Sequence, residues 1–225
     1  MAKVHEGMAF HGTVYFAFHQ SAGRGQRGKS WESRPGENIT MSVILEPVFL
    51  DAGQQFLLSA TVAIACIDYL QSRIEGNWKI KWPNDLYWDD RKAGGILIEN
   101  KFKGDRWLFA VAGIGININQ VDFAAGIGNP VSLSIITQKK YSSRSEAIAL
   151  CKCLEKRFSE LKLAKTGDIV DRYNELLFRR NEQVRLKKKD KMLNCRLAGV
   201  NEKGQLIVVD GESNIINPGE VEWII

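Results

Sequence analysis

The chain has 225 residues, of which 44% are hydrophobic and 25% charged, with a net charge of +5 at neutral pH and four cysteines. Such a length supports one sizeable core plus a small second domain, and the composition is that of an ordinary globular protein. Four scattered cysteines exclude a disulfide framework, the modest positive charge is no argument for nucleic acid, and no apolar run is expected to reach the length of a membrane span, so cytoplasm is the expected compartment.

Residues Ala2 to Met8 read as the end of a helix, with Gly7 near its stop and no cap ahead of it, so the chain is expected to begin inside an element. Thr13 to His19 is β-branched and aromatic, the composition of a strand, and delivers Gln20 into a loop. In that loop Gly23, Gly25 and Gly28 let the backbone turn and expose successive N–H groups, while Arg24, Arg27 and Lys29 add positive charge. Backbone donors with guanidinium groups suit a phosphate, a carboxylate, or both in turn. Gly23 to Gly28 also spells G-x-G-x-x-G, but Trp31-Glu32-Ser33-Arg34-Pro35-Gly36 cannot begin the helix that a dinucleotide site requires. The stretch is therefore read as an anion-binding loop, disordered without ligand and ordered with it.

Asn38 to Leu45 alternates polar and apolar residues, which predicts a strand with one wet face, stopped by Pro47. From Leu50 to Arg73 apolar residues recur at three- and four-residue spacings, with Asp51 as the N-cap, which predicts a helix on one face of a sheet. Trp78 to Trp82 is a strand ended by Pro83, after which Asn84-Asp85 present two short polar side chains from a turn. Asp89 to Lys92 reads as a charged hairpin tip, followed by Ala93-Gly94-Gly95 and a strand over Ile96 to Glu99. Trp107 to Ile118 is a further strand. Gly113 and Gly115 within it mean a bulge or a close approach, by backbone or by ligand.

Val131 to Ile136 is a short apolar run, and helices are expected from Ser143 to about Lys162 and over Ile169 to Phe178. Cys151 and Cys153 fall on different faces of the first of these, which favours reduced thiols over a metal site. Short strands at Gln183 to Leu186, Leu193 to Val200, Leu206 to Val209 and Asn214 to Asn217 predict a small SH3-like barrel. The boundary near Arg179 divides a body of residues 1–178 from a barrel of residues 179–225. Lys187 to Lys191 is basic but has no interleaved aromatic residue, so it reads as a solvated hairpin tip.

Four motifs now stand in order: Gln20-Ser21-Ala22-Gly23-Arg24-Gly25-Gln26-Arg27-Gly28, Lys81-Trp82-Pro83-Asn84-Asp85-Leu86, Arg91-Lys92-Ala93-Gly94-Gly95-Ile96-Leu97, and Gly113-Ile114-Gly115-Ile116-Asn117. In that order and spacing the chain closely resembles the biotin protein ligases, over nearly its whole length and including the barrel with Gly204 and Gly219-Glu220. The resemblance implies an α/β (α+β) fold: a mixed sheet flanked by helices, similar to the class II synthetase core, followed by the barrel. It also implies a two-step reaction. The biotin carboxylate attacks the α-phosphate of ATP to give biotinoyl-5′-AMP and pyrophosphate, and a lysine of a carboxylase's biotin-carrier domain then takes the biotinoyl group. Cations and backbone donors would offset the repulsion between two anions, and the site must keep the anhydride from water.

Carried over by motif position, Lys92 is the principal catalytic group, contacting the biotin carboxylate and the transferring oxygen, and Arg24 is the second. Arg24, Gly25 and Gln26 match the loop that closes over biotin and its adenylate, with Gly23 in the same loop. Gln20 matches a polar contact to the biotin ring, and Gly95, Gly113 and Gly115 would let the ligand lie against the backbone. Arg27 and Lys29 fall to ATP, Lys29 at the β- and γ-phosphates. Lys81, Asn84, Asp85 and Asn117 match the nucleotide and Mg²⁺ region, with Asp85 as the Mg²⁺ ligand through water. Trp31 reads as a loop anchor.

Two departures stand out. The resemblance implies a Ser-Thr-Asn triplet ahead of the first helix that this sequence does not supply, so the chain reads as truncated and is expected to bind biotin less tightly than an extended version. Gln26 stands where many relatives carry arginine, so looser retention of the adenylate is expected, with Gln26→Arg slowing its release. The expected partner is a biotin carboxyl-carrier protein or domain. No nucleic acid, membrane or repressor function is expected, and there is room for a homodimer. The competing readings are a lipoate or octanoate ligase of the same superfamily and a non-catalytic basic binding module.

Overall fold

The computed structural model describes residues 10–28, 30–124, 128–209 and 215–224. In chain order its strands and helices are β1 (Val14–Phe16), β2 (Gly23–Arg24), β3 (Ser30–Trp31), β4 (Asn38–Leu45), α1 (Gln55–Gln71), β5 (Trp78–Lys81), β6 (Asp85–Trp88), β7 (Arg91–Lys103) and β8 (Arg106–Asn117). There follow α2 (Leu133–Thr137), α3 (Ser143–Leu161), α4 (Thr166–Glu175), β9 (Gln183–Lys188), β10 (Lys191–Val200), β11 (Leu206–Val209), β12 (Ile215–Ile216) and β13 (Glu222–Ile224). The helix end expected over Ala2 to Met8 lies outside the described residues.

Six strands form the main sheet in the order β1-β4-β8-β7-β6-β5. Every neighbouring pair is antiparallel, and the parallel component of the expected mixed sheet is confined to the isolated bridges Ile80–Leu177 and Lys92–Pro130. Helices α1, α3 and α4 cover one face. Helix α1 is apolar on all sides because it is the central layer, with the sheet beneath it and α3 and α4 beside it. Residues Ala52–Gln71 are in fact long and apolar enough to cross a membrane by length and composition, contrary to the expectation from sequence, but most of that stretch is buried as a core helix. Polar ties lock α3 to α1. Glu146 accepts from Tyr69 Oη at 2.8 Å and Arg73 Nε at 2.5 Å, and Arg157 Nε donates to Asp68 at 2.5 Å.

Strand β4 starts and ends where its alternation predicts, yet it has no wet face. It lies between β1 and β8, and the face carrying Thr40 and Ser42 lines a partly open cavity under the glycine loop. The expected hairpin tip is displaced in the same way: the turn sits at Asp89, which has φ 51°, and β7 already begins at Arg91, so Lys92 to Gly95 belong to a strand. In place of an open glycine loop, β2 pairs with β3 in a short ladder, Gly23 opposite Trp31 and Arg24 opposite Ser30.

The C-terminal sheet, ordered β12-β11-β10-β9-β13 and antiparallel throughout, is the SH3-like barrel. Strand β13 escapes a sequence reading because three residues show no period. The barrel is fastened to the body at several points. Asn174 of α4 exchanges two hydrogen bonds with the Val200 backbone, at 2.7 and 3.0 Å, and Trp82 Nε1 donates to Gly204 O at 2.9 Å.

Candidate active site

Antiparallel register places Thr40 opposite Gly115, Gly115 opposite Gly95, Gly95 opposite Asp85 and Asp85 opposite Lys81. Cross-strand partners share a face, so these five residues form one line across five strands. A second line, Ser42–Gly113–Leu97, runs beside it. Both lines face away from the helices and floor a cavity of about 670 Å³. Small or absent side chains leave the room for it; large ones on that face would fill the space as they do on the helix face.

The glycine loop is the roof. Gln20, Arg24, Gly25, Gln26, Ser30 and Trp31 all line the cavity. Gly23 carries the ladder that holds them: a Cβ there would stand 2.2 Å from Trp31 O, so no other residue fits. Trp31 lies over the floor at Gly115, where a Cβ would come within 2.5 Å of the indole. Its Nε1 is buried without a hydrogen-bond partner. The anchoring role expected for Trp31 therefore extends to the ligand space itself. Arg24 reaches across the cavity to Glu99 of β7 at 3.3 Å. That arginine is 72% exposed, so the pair is worth at most about 1 kcal/mol and an anionic ligand can replace the carboxylate.

At the far end Lys92 Nζ donates to Asp85 Oδ1 at 2.7 Å, with both side chains partly buried. The Lys92 backbone is gripped on both sides, since its N–H donates to Asn129 O at 2.8 Å and its carbonyl accepts from Val131 N at 2.9 Å. Asn84 lines the cavity with its Nδ2 bonded to Ile96 O, which ties the Trp-Pro-Asn-Asp turn to β7. Lys81 Nζ donates to Tyr87 Oη at 3.1 Å. Burial and the neighbouring Asp85 and Asp90 push the Tyr87 phenol well above its ordinary range, so it stays neutral and accepts that bond. Trp82 and Pro83 are joined by a cis peptide bond.

Of the residues singled out from sequence, Gln20, Arg24, Gly25, Gln26, Lys81, Asn84, Asp85, Lys92, Gly95, Gly113 and Gly115 all line this one cavity. Asn117 does not. It is buried, and its Nδ2 donates to Val131 O at 3.0 Å and Lys92 O at 3.4 Å, so it braces the segment that holds Lys92. Lys29 and the side chain of Arg27 lie outside the described residues. Sequence reasoning missed Thr40, Ser42, Glu99 and Trp223, which also line the cavity. The first two are the polar half of the β4 alternation, a signal that was visible and read as solvent.

Residues 6–117 match the profile of the biotin/lipoate A/B protein ligase family. Among characterised proteins, the chain is 35% identical over 153 residues to the bifunctional ligase/repressor BirA of Bacillus spizizenii, covering 66% of this chain and 46% of that one. It is 31% identical over 123 residues to the biotin--[acetyl-CoA-carboxylase] ligase of Mycobacterium tuberculosis, covering 53% and 44%. The chain thus spans about half the length of these relatives. The biotin protein ligase of Aquifex aeolicus, solved with biotin and ATP, superposes with a TM-score of 0.80 over 96% of this chain and 90% of that one, at 24% identity. At that identity the likeness establishes the shared fold.

Proposed function

Because the chain belongs to the biotin/lipoate A/B protein ligase family, we propose that it activates biotin with ATP and transfers it to a lysine of a biotin-carrier domain. A carboxylate oxygen of biotin attacks the α-phosphorus, the bond to the bridging oxygen breaks, and pyrophosphate leaves. The carrier lysine's neutral amine then attacks the biotinoyl carbonyl, AMP departs, and the amine gives up its proton. In this reading residues 1–178 are the catalytic body and residues 179–225 the barrel that walls one end of the cavity.

One observation carries the reading: the glycine floor, the Lys92–Asp85 pair and the Arg24 loop bound a single cavity from three sides. Biotin would lie along Gly113 and Gly115 under Gln20, Gly23, Gly25 and Gln26, with its carboxylate at Lys92 beside Gly95. Arg24 would leave Glu99 for the developing charge on the α-phosphate. Lys81, Asn84 and Asp85 would receive the triphosphate. For Mg²⁺ the donor set fits an ion carried by phosphate. Asp85 offers one carboxylate, and no group of three His, Cys, Asp or Glu side chains gathers among the described residues. Mg²⁺ keeps several waters and takes few protein ligands in such sites, so Asp85 and Asn84 would hold it through water and it would offset the phosphate charge. The four free cysteines fit the reducing cytoplasm, where we place the protein.

Two acids separate this reading from the lipoate branch of the family. Thermal unfolding is followed with biotin or octanoate, each with and without ATP, and a carrier domain is then added and its mass measured. The expected result is a rise in unfolding temperature with biotin plus ATP and one biotinoyl group on the carrier. A rise with octanoate alone would assign the lipoate branch. A salt-dependent shift with RNA or DNA, and none with either acid, would assign a basic binding module.

A further inference from the structure

We propose that Trp223, on the last strand of the barrel, is a positioning residue that holds the Lys81 ammonium where the triphosphate of ATP arrives. The inference rests on the ATP reading above and adds to it a residue from outside the catalytic body. Trp223 lies 141 positions beyond Trp82, yet its Nε1 donates to Trp82 O at 3.2 Å and its ring lines the cavity. The face of the same indole stands 5.6 Å from Lys81 Nζ. One side chain therefore grips two successive residues, the carbonyl of Trp82 through its N–H and the ammonium of Lys81 through its ring.

Tyr87 completes the enclosure, with its ring centroid 5.0 Å from Lys81 Nζ and its hydroxyl accepting from it at 3.1 Å. Both rings are within the range at which a cation is drawn to an aromatic face. Lysine carries a long flexible stem, so two rings that confine its head lower the ordering cost when a phosphate binds. Trp223 is itself held in place. It pairs with Leu186 across β13 and β9, and its ring packs 6.1 Å from Phe178. Lys81 closes the floor line next to Asp85, at the end of the cavity that the barrel walls. A nucleotide whose sugar and base lie elsewhere would meet this enclosure with its phosphates.

The test measures dissociation constants by titration calorimetry, in saturating biotin, for a non-hydrolysable ATP analogue and for adenosine. Wild type is compared with Trp223→Leu, Trp223→Phe, Lys81→Met and the double variant Lys81→Met/Trp223→Leu. Trp223→Leu is expected to weaken the ATP analogue roughly fivefold to thirtyfold and leave adenosine unchanged. Trp223→Phe is expected to recover most of the loss, and the leucine change to add nothing once Lys81 is methionine. Equal weakening of adenosine, no recovery with phenylalanine, or additive losses in the double variant would assign Trp223 a purely structural role and overturn the inference. If the leucine variant does not fold, a ring-fluorinated tryptophan at position 223 keeps the shape and the N–H while draining the ring face. Undiminished binding of the ATP analogue to that protein overturns the inference equally. A wild type that binds no ATP analogue overturns the ATP reading beneath it, an outcome distinct from all the others.

Discussion

Along β8, Ala112, Ile114 and Ile116 are buried in the core that α1 shares, while Gly113 and Gly115 between them floor the cavity. The same contrast runs through β4, where Met41 and Val43 pack inward and Thr40 and Ser42 line the cavity. Both faces are covered, so burial does not distinguish them. Side-chain volume does. The helix face is filled with apolar groups and contributes stability. The cavity face is bare at Gly113 and Gly115 and small at Thr40 and Ser42, turning apolar beyond them at Ile44 and Val111, so it contributes room and donors. Substitutions on the two faces should therefore separate stability from chemistry.

The largest separation is expected at Lys92. Lys92→Gln should slow biotin-dependent pyrophosphate release roughly 10²–10³-fold with little change in unfolding temperature, because the lost pair with Asp85 is only partly buried. The opposite pattern is expected on the helix face. Leu58, fully buried in α1, should cost about 3 kcal/mol of unfolding free energy as Leu58→Ala, read by urea titration, while the folded fraction keeps its turnover rate. A Leu58→Ala protein with normal stability and slowed turnover would break the division.

Glycines sharpen the comparison within one face. At Gly115 a methyl group would collide with the Trp31 indole at 2.5 Å, whereas at Gly113 it would meet Leu97 O at an ordinary 3.4 Å. Gly115→Ala should weaken biotin binding roughly tenfold and Gly113→Ala much less, both by calorimetry. The smallest effect is expected at Tyr69→Phe, which leaves Glu146 bonded to Arg73. It should cost about 1 kcal/mol of stability and leave ligand affinity unchanged.

Legibility followed the same division. Strand β4 lies at the residues its patterning indicates because eight alternating residues carry a strong period, β11 coincides with a four-residue apolar run, and β8 is displaced by a single residue. What the alternation could not supply was the identity of the cover. The polar half of β4 reads the same whether it faces water or a ligand cavity. Asn117 shows the matching limit of motif reading: its place in Gly-Ile-Gly-Ile-Asn does not record that its carboxamide is bonded to the backbone around Lys92. Trp223 was beyond reach for a third reason. Only tertiary docking of the barrel brings its ring to Lys81, and no local pattern records a contact so distant in sequence.

Pyrophosphate release from ATP, followed with biotin, with octanoate and with neither acid, tests the central claim most directly. The account predicts release that requires biotin and is lost in Lys92→Gln. Release driven by octanoate, or undiminished when Lys92 is glutamine, would contradict it.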